Sequence, residues 1–287
     1  SAALAGVGVA GCVRKPTQYI APYAERPEDL VPGNPRYFAT TMTVGGSVLG
    51  CLVASQDGRP IKVEGNPSHP MSRGATNVWA QAAVLSLYDP DRTKAPLEGG
   101  QERTWEEFGA WLEEKRGSFG NGSGVGLLVP DSKSPTFKVL VDSFKQAYPQ
   151  ARIFSDDATR PAARHEGFAL VGAEGHAVLY DLAKADVVLA LDSDLLGSEP
   201  DGVYHARHFA SRRRLENDAT GMNRLYAVEP AFSITGATAD NRLQIPASQV
   251  GEFLKSVAGK VGQATDDSAL AALSGTSPGE RFDAWVD

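Results

Sequence analysis

Cysteine is nearly absent: the 287 residues contain two, Cys12 and Cys51. Two thiols cannot supply the three or four ligands that an iron–sulfur cluster takes. They do not make a disulfide framework either, although one bridge between them stays open in an oxidising compartment. Histidine is also sparse, at five residues (His69, His165, His176, His205 and His208). None of these forms an i, i+4 pair. His205 with His208 is the one local combination, and no carboxylate sits at ligand spacing on the same helix face, so surface or packing histidines are expected rather than a metal site. No Gly-x-Ser-x-Gly elbow is present. No apolar run reaches the ~20 residues that span a bilayer. Basic residues (28) are outnumbered by acidic ones (35), for a net charge of −7. The concentrated basic face that nucleic-acid binding needs is therefore missing, and no nucleic-acid partner is expected. The one dense basic run, Arg212-Arg213-Arg214, reads as the polar end of a helix. No Met stands at position 1, from which a longer product is expected.

What is present is enough for a core: 42% of residues are hydrophobic and 22% charged, in a chain long enough for one large domain or two ordinary ones. Residues 2–11 are small and apolar and end at Cys12. They read as the tail of an export signal, with Val9-Ala10-Gly11-Cys12 resembling a lipobox and Cys12 a candidate lipid anchor. An Ala/Gly-rich stretch that merely ends at a cysteine is the alternative. Pro16, Pro22, Pro27, Pro32 and Pro35 prevent a continuous helix over 13–40 and point to an extended arm lying on a partner.

Farther on, Leu49 to Glu64 predicts a hairpin turning at Asp57-Gly58. Thr104-Trp-Glu-Glu107 is a capping box opening a helix with Phe108, Trp111 and Leu112 on one face. Val125–Val129 predicts a buried strand, Ser134-Pro135 a helix start, and Arg152-Ile153-Phe154 the next strand. Asp186–Leu191 is the clearest strand, followed by a helix over Tyr204–Arg214, a strand over Arg224–Val228 and a helix over Gln249–Val257. Strands alternating with helices predict an α/β fold with an open parallel sheet covered on both faces. The expected order is an export-signal remnant and Pro-rich extended arm over 1–40, a small β-rich module over 41–100, a Rossmann-like α/β domain over 101–262, and a polar tail or the start of a next segment over 263–287.

The stretch Asp57-Gly-Arg-Pro-Ile-Lys-Val-Glu-Gly-Asn-Pro-Ser-His-Pro70 resembles the molybdopterin oxidoreductase superfamily. So do the Arg73-Gly74 turn, the Tyr88-Asp-Pro-Asp-Arg92 element, Ala185-Asp186-Val-Val-Leu189 and Val228-Glu-Pro230. Within it, the chain is similar to the B subunit of alternative complex III, a molybdopterin-oxidoreductase-like iron–sulfur subunit. The matching segments are Gln18–Tyr23, Val31–Gly33, Tyr37–Thr41, Leu191–Gly197, Met222–Glu229 and Thr235–Ala237. The resemblance implies export to the periplasmic face of the bacterial cytoplasmic membrane. It also implies partners in a membrane-bound respiratory or photosynthetic complex, including c-type haem and quinol-oxidising membrane subunits. Iron–sulfur clusters would lie in a downstream domain of the parent subunit, and this region would match its N-terminal portion.

Several residues argue that the region itself is chemically silent, with no cofactor, no metal and no catalytic residue of its own. Catalytic relatives place three cysteines before the hairpin and a fourth after the Arg-Gly turn. Here the first stretch is Thr40–Leu49, and the position near Thr76 has no thiol, so the small β-rich module resembles a degenerate cluster domain. Cys51 reads as a small buried hydrophobe. A pterin–guanine dinucleotide would place its diphosphate at the turn Asp192-Ser-Asp194, where two carboxylates repel it, unless a metal bridges them. Glu229 reads as a solvated strand-end carboxylate, with a ribose or guanine edge as the alternative. Gly120–Gly126 precedes a strand instead of following one, the wrong geometry for a dinucleotide fingerprint. The function expected is a noncatalytic structural and assembly region of an electron-transfer subunit. The alternatives are a cofactor-bearing oxidoreductase domain that has lost its cluster, or a nucleotide- or anion-binding module.

Overall fold

A computed structural model describes residues 30–44, 47–130, 134–156, 162–173, 178–214, 221–277 and 279–286, with 25, 28, 132 and 176 as isolated positions. Cys12, the lipobox and most of the Pro-rich arm lie outside the described residues.

The first layer is an antiparallel meander of β1 (Arg36–Val44), β2 (Ser47–Gln56) and β3 (Arg59–Gly65). The β2–β3 turn is the expected Asp57-Gly58 pair, both residues at positive φ (51° and 78°). That is the combination a two-residue turn needs to match the strand twist. The arm expected to extend to residue 40 gives way to β1, which pairs along its whole length with β2 from Arg36 opposite Ser55 to Val44 opposite Ser47. Leu49, Cys51, Val63 and Ala80 bury one face of this sheet against helix α1 (Val78–Leu87), and Val203 packs there from the α/β layer. Cys51 is fully buried, as expected, and burial pushes its thiol pKa up.

The chain then forms a two-stranded ribbon, β4 (Leu97–Glu98) with β5 (Gln101–Glu102). Helix α2 (Trp105–Gly117) follows behind the Thr104/Glu107 capping box, both of whose hydrogen bonds are formed. Next come β6 (Gly126–Val129), α3 (Pro135–Ala147) capped by Ser134, β7 (Arg152–Ser155) and α4 (Ala162–Leu170). After a 3-10 turn at Leu182–Lys184 come β8 (Val187–Leu191), α5 (Gly202–Ser211), β9 (Arg224–Glu229), α6 (Ile234–Thr238), β10 (Asn241–Gln244), α7 (Ala247–Ala264), α8 (Ser268–Ala271) and α9 (Glu280–Val286).

The strands from β6 onward are parallel as expected, but among the described residues they form two sheets rather than one. β6 pairs with β7, and β8, β9 and β10 lie in that order in a second sheet. Apolar residues on the separate strands remain in solvent, with Leu128 70% exposed, Phe154 50% and Val187 63%. The two sheets thus do not join into the continuous two-faced sheet that parallel strands ordinarily form.

The best-packed part of the molecule is the second sheet. Leu182, Ala190, Leu195, Leu196, Phe209 and Leu225 pack between β8, β9 and α5. Val228, Leu243, Ile245, Phe253 and Phe282 pack on the other side under α7 and α9. Each buried Leu or Phe stabilises by about 1.5–3 kcal/mol. The expected polar tail thus returns to the core through Phe282, which meets Phe253 edge to face at 5.2 Å.

Candidate functional site

In an open α/β sheet, ligands bind beyond the carboxyl ends of the strands. Here those ends are Leu191 of β8 and Glu229 of β9. After β8 the chain turns at Asp192, held at φ 47° with its N–H donating to the Val228 carbonyl. The turn separates the two aspartates that the sequence places together: Asp192 is exposed, and Asp194 points toward α6.

Four hydrogen bonds saturate Asp194. Its Oδ1 accepts from the backbone N and the Oγ1 of Thr235, at 2.9 Å each, and its Oδ2 accepts from the N and Oγ of Ser198, at 2.8 Å each. Thr235 Oγ1 in turn accepts from Leu196 N at 3.0 Å. Burial opposes the charge on Asp194, but the Ser198 and Thr235 donors outweigh it and hold the carboxyl below the usual carboxylate range.

Glu229 corrects the sequence reading. It is 3% exposed, not a solvated strand end. Its carboxylate accepts from Ser233 N at 3.3 Å, from Ser233 Oγ and from Arg242 Nε on β10. Burial alone would raise its pKa, yet Ser233 and Arg242 bring it below the usual range. A strand-end acid can be buried here because the neighbouring parallel strand supplies the compensating guanidinium. No sequence signal marks this pair, since Arg242 lies 13 residues away on a short strand that alternation does not reveal.

Two glycines make the room. A Cβ at Gly197 would overlap the Asp194 carboxylate, and one at Gly236 would overlap that of Glu229. Ser233 caps α6 by accepting from Gly236 N at 2.9 Å. The N–H groups and hydroxyls of Ser198, Ser233 and Thr235 are thus bonded to the chain's own carboxylates. A diphosphate would meet oxygens already charged, so the residues present do not fit it in this arrangement.

The remaining candidates disperse. His205 is 1% exposed; its Nε2 accepts from Tyr180 N at 3.1 Å, and its Nδ1 makes no hydrogen bond. Burial lowers its pKa. His208 instead sets Nδ1 3.0 Å from Asp181 and lies on the Tyr204 ring at 3.9 Å. The two rings therefore serve different partners. At the missing-cysteine position, Thr76 Oγ1 is buried without a hydrogen bond and the adjacent Asn77 caps α1 by accepting from Ala80 N. The run 212–214 is only partly a solvated helix end. Arg212 pairs with Asp186, while Arg213 binds Asp240 and Asn223 beneath β9. Among the described residues, no three His, Cys, Asp or Glu side chains are grouped to hold a metal, and no helix is long and apolar enough to cross a membrane.

No family model matches the chain. It is similar to the menaquinone reductase, molybdopterin-binding-like subunit of Nitratidesulfovibrio vulgaris, with 26% identity over 262 residues. That match takes in 88% of this chain and 37% of the relative. It is also similar to a sulfite dehydrogenase subunit of Allochromatium vinosum, 29% identical over 97 residues, which is 30% of this chain and 10% of that protein. The chain therefore spans well under half the length of the curated relatives it matches. These similarities support a molybdopterin-oxidoreductase-like relationship.

Proposed function

We propose that this chain is a noncatalytic structural and assembly region of an electron-transfer subunit in a membrane-bound quinol:acceptor oxidoreductase of the alternative complex III kind. The observation that carries the reading is a missing interior. Between Ala80 and Leu182 the chain forms strands β4 to β7 and helices α2 to α4, yet among the described residues of this stretch Gly122 alone is buried. The helices there keep large apolar groups in water, among them Trp105 (70% exposed) on α2 and Leu140 (62%) on α3. Helix α1 does the same with Trp79 (66%) and Leu85 (73%). A helix apolar on all sides belongs inside a structure, and large apolar side chains left exposed on three successive helices favour an interaction region.

Two further points support the reading. The relative from Nitratidesulfovibrio vulgaris is named as a subunit of a menaquinone reductase, and its name calls it molybdopterin-binding-like. Asp194 and Glu229 occupy the donors at the strand ends, which favours a region that positions other components over one that performs chemistry. In this reading the partners are c-type haem and quinol-oxidising membrane subunits at the periplasmic face, the chain is exported, and Cys12 is its lipid anchor. Iron–sulfur clusters belong to another part of the parent subunit.

The test is an assay of this polypeptide, isolated from the detergent-solubilised parent complex, for molybdenum, tungsten and acid-released pterin. The expected result is less than stoichiometric amounts of all three. Pterin and metal at about one per chain would overturn the noncatalytic reading and make Asp194 and Glu229 the first residues to substitute.

A further inference from the structure

Helix α5 and the loop after β3 bound a small cleft lined by Arg73, Ala183, Arg207, His208, Ser211 and Arg214. Four of these come from α5 and the residues just after it: Arg207 and Ser211 lie on one helix face, spaced i and i+4, and Arg214 follows the helix end. Arg73 reaches the same cleft from the β module, on a residue held at φ 44°, where only a few side chains ordinarily reside. The two layers are fixed to each other nearby: Asp201 N donates to Ser47 Oγ, and Val203 packs on the β-sheet core.

The arginines of this region divide sharply. Arg212 and Arg213 are consumed by Asp186 and by Asp240 with Asn223. Arg73, Arg207 and Arg214 have no carboxylate partner among the described residues. Among the described residues, Asp181 pairs with the cleft residue His208 and with Lys184. In a chain of net charge −7, three guanidinium groups from two layers lining one cleft, without a carboxylate partner among the described residues, are not a general surface property. The carboxyl end of α5 carries about half a negative charge, which three full positive charges outweigh.

We propose that this cleft binds a phosphate group, with Arg73, Arg207 and Arg214 as its cationic donors. Guanidinium forks suit the planar pairs of oxygens on phosphate, and an anion between them relieves their mutual repulsion. The chemistry is shared by a free phosphate or diphosphate and by the headgroup of an anionic lipid. The inference does not rest on the assembly reading and can fail without it.

The experiment is calorimetric titration of the full chain with pyrophosphate at low ionic strength, beside co-sedimentation with phosphatidylcholine vesicles with and without phosphatidylglycerol. Arg207→Gln and Arg214→Gln are each expected to weaken binding by about tenfold, with Arg73→Gln similar. Arg116→Gln on α2 leaves it unchanged, and circular dichroism verifies that each variant is folded. Binding of pyrophosphate alone assigns a soluble phosphate. Binding of phosphatidylglycerol vesicles with the same arginine dependence assigns a lipid headgroup. Absence of both, or binding that folded arginine variants retain in full, overturns the proposal.

Discussion

Asp194 and Thr235, 41 residues apart, are joined twice: one carboxylate oxygen accepts both the backbone N–H and the hydroxyl of the threonine, at 2.9 Å each. The contact ties the turn after β8 to the start of α6, and Thr235 extends it by accepting from Leu196 N. Asp194→Asn keeps the shape but turns an NH2 group toward two of four donors. Charge-assisted hydrogen bonds are worth about 1.5–3 kcal/mol each. The variant is expected to lose about 2–4 kcal/mol of stability in urea unfolding. Thr235→Val should lose a comparable amount, and the double variant clearly less than their sum, because the two residues share one network. Additive losses would show that the contact is not coupled.

Acid should destabilise the chain in two stages. His205 is held neutral by burial, and its folded pKa lies below the ordinary value. The unfolded chain therefore takes up a proton first as pH falls below about 6.5, and stability declines there. Asp194 and Glu229 also have folded pKa values below the ordinary range. Their contribution is present above about pH 4 and disappears as pH drops through the folded values. His205→Gln keeps an acceptor for Tyr180 N and removes the titration. The urea midpoint of this variant should vary less than that of the parent between about pH 7 and pH 5. An unchanged slope would assign the upper stage to another group.

Local elements were legible wherever a short-range rule governs them. The Asp57-Gly58 turn, the Thr104/Glu107 box and the Ser134-Pro135 start each depend on residues within four positions, and each forms. The strands β1 and β10 were not legible. β1 is exposed along most of its length, so no alternation marks it, and its partner is set by the hairpin beside it. The site was half legible. Asp194 and Glu229 stand out as acids at strand ends, but their fate depends on Thr235, Arg242 and the missing side chains of Gly197 and Gly236. Those are relationships between elements, which spacing within one element cannot express. The same holds for Phe282, whose burial depends on α7 returning the tail to the sheet.

The exposed tryptophans separate folding from assembly. Trp79 and Trp105 are 66% and 70% exposed, so replacing either with Ser removes little buried area from the chain. Surface changes of this sort shift stability by about 0.5 kcal/mol or less. Phe253, 1% exposed, is the contrast: its replacement by Ala should cost about 3–5 kcal/mol through transfer and cavity terms. If α1 and α2 are interaction faces, the double variant Trp79→Ser/Trp105→Ser behaves in the opposite way from Phe253→Ala. Its urea midpoint stays close to that of the parent chain, while the fraction recovered with the detergent-solubilised complex falls by about tenfold or more, since buried aromatic anchors dominate interfaces. Undiminished recovery would show that these helices remain in water in the assembled protein, and the apolar surface would lose its claim as evidence for a partner.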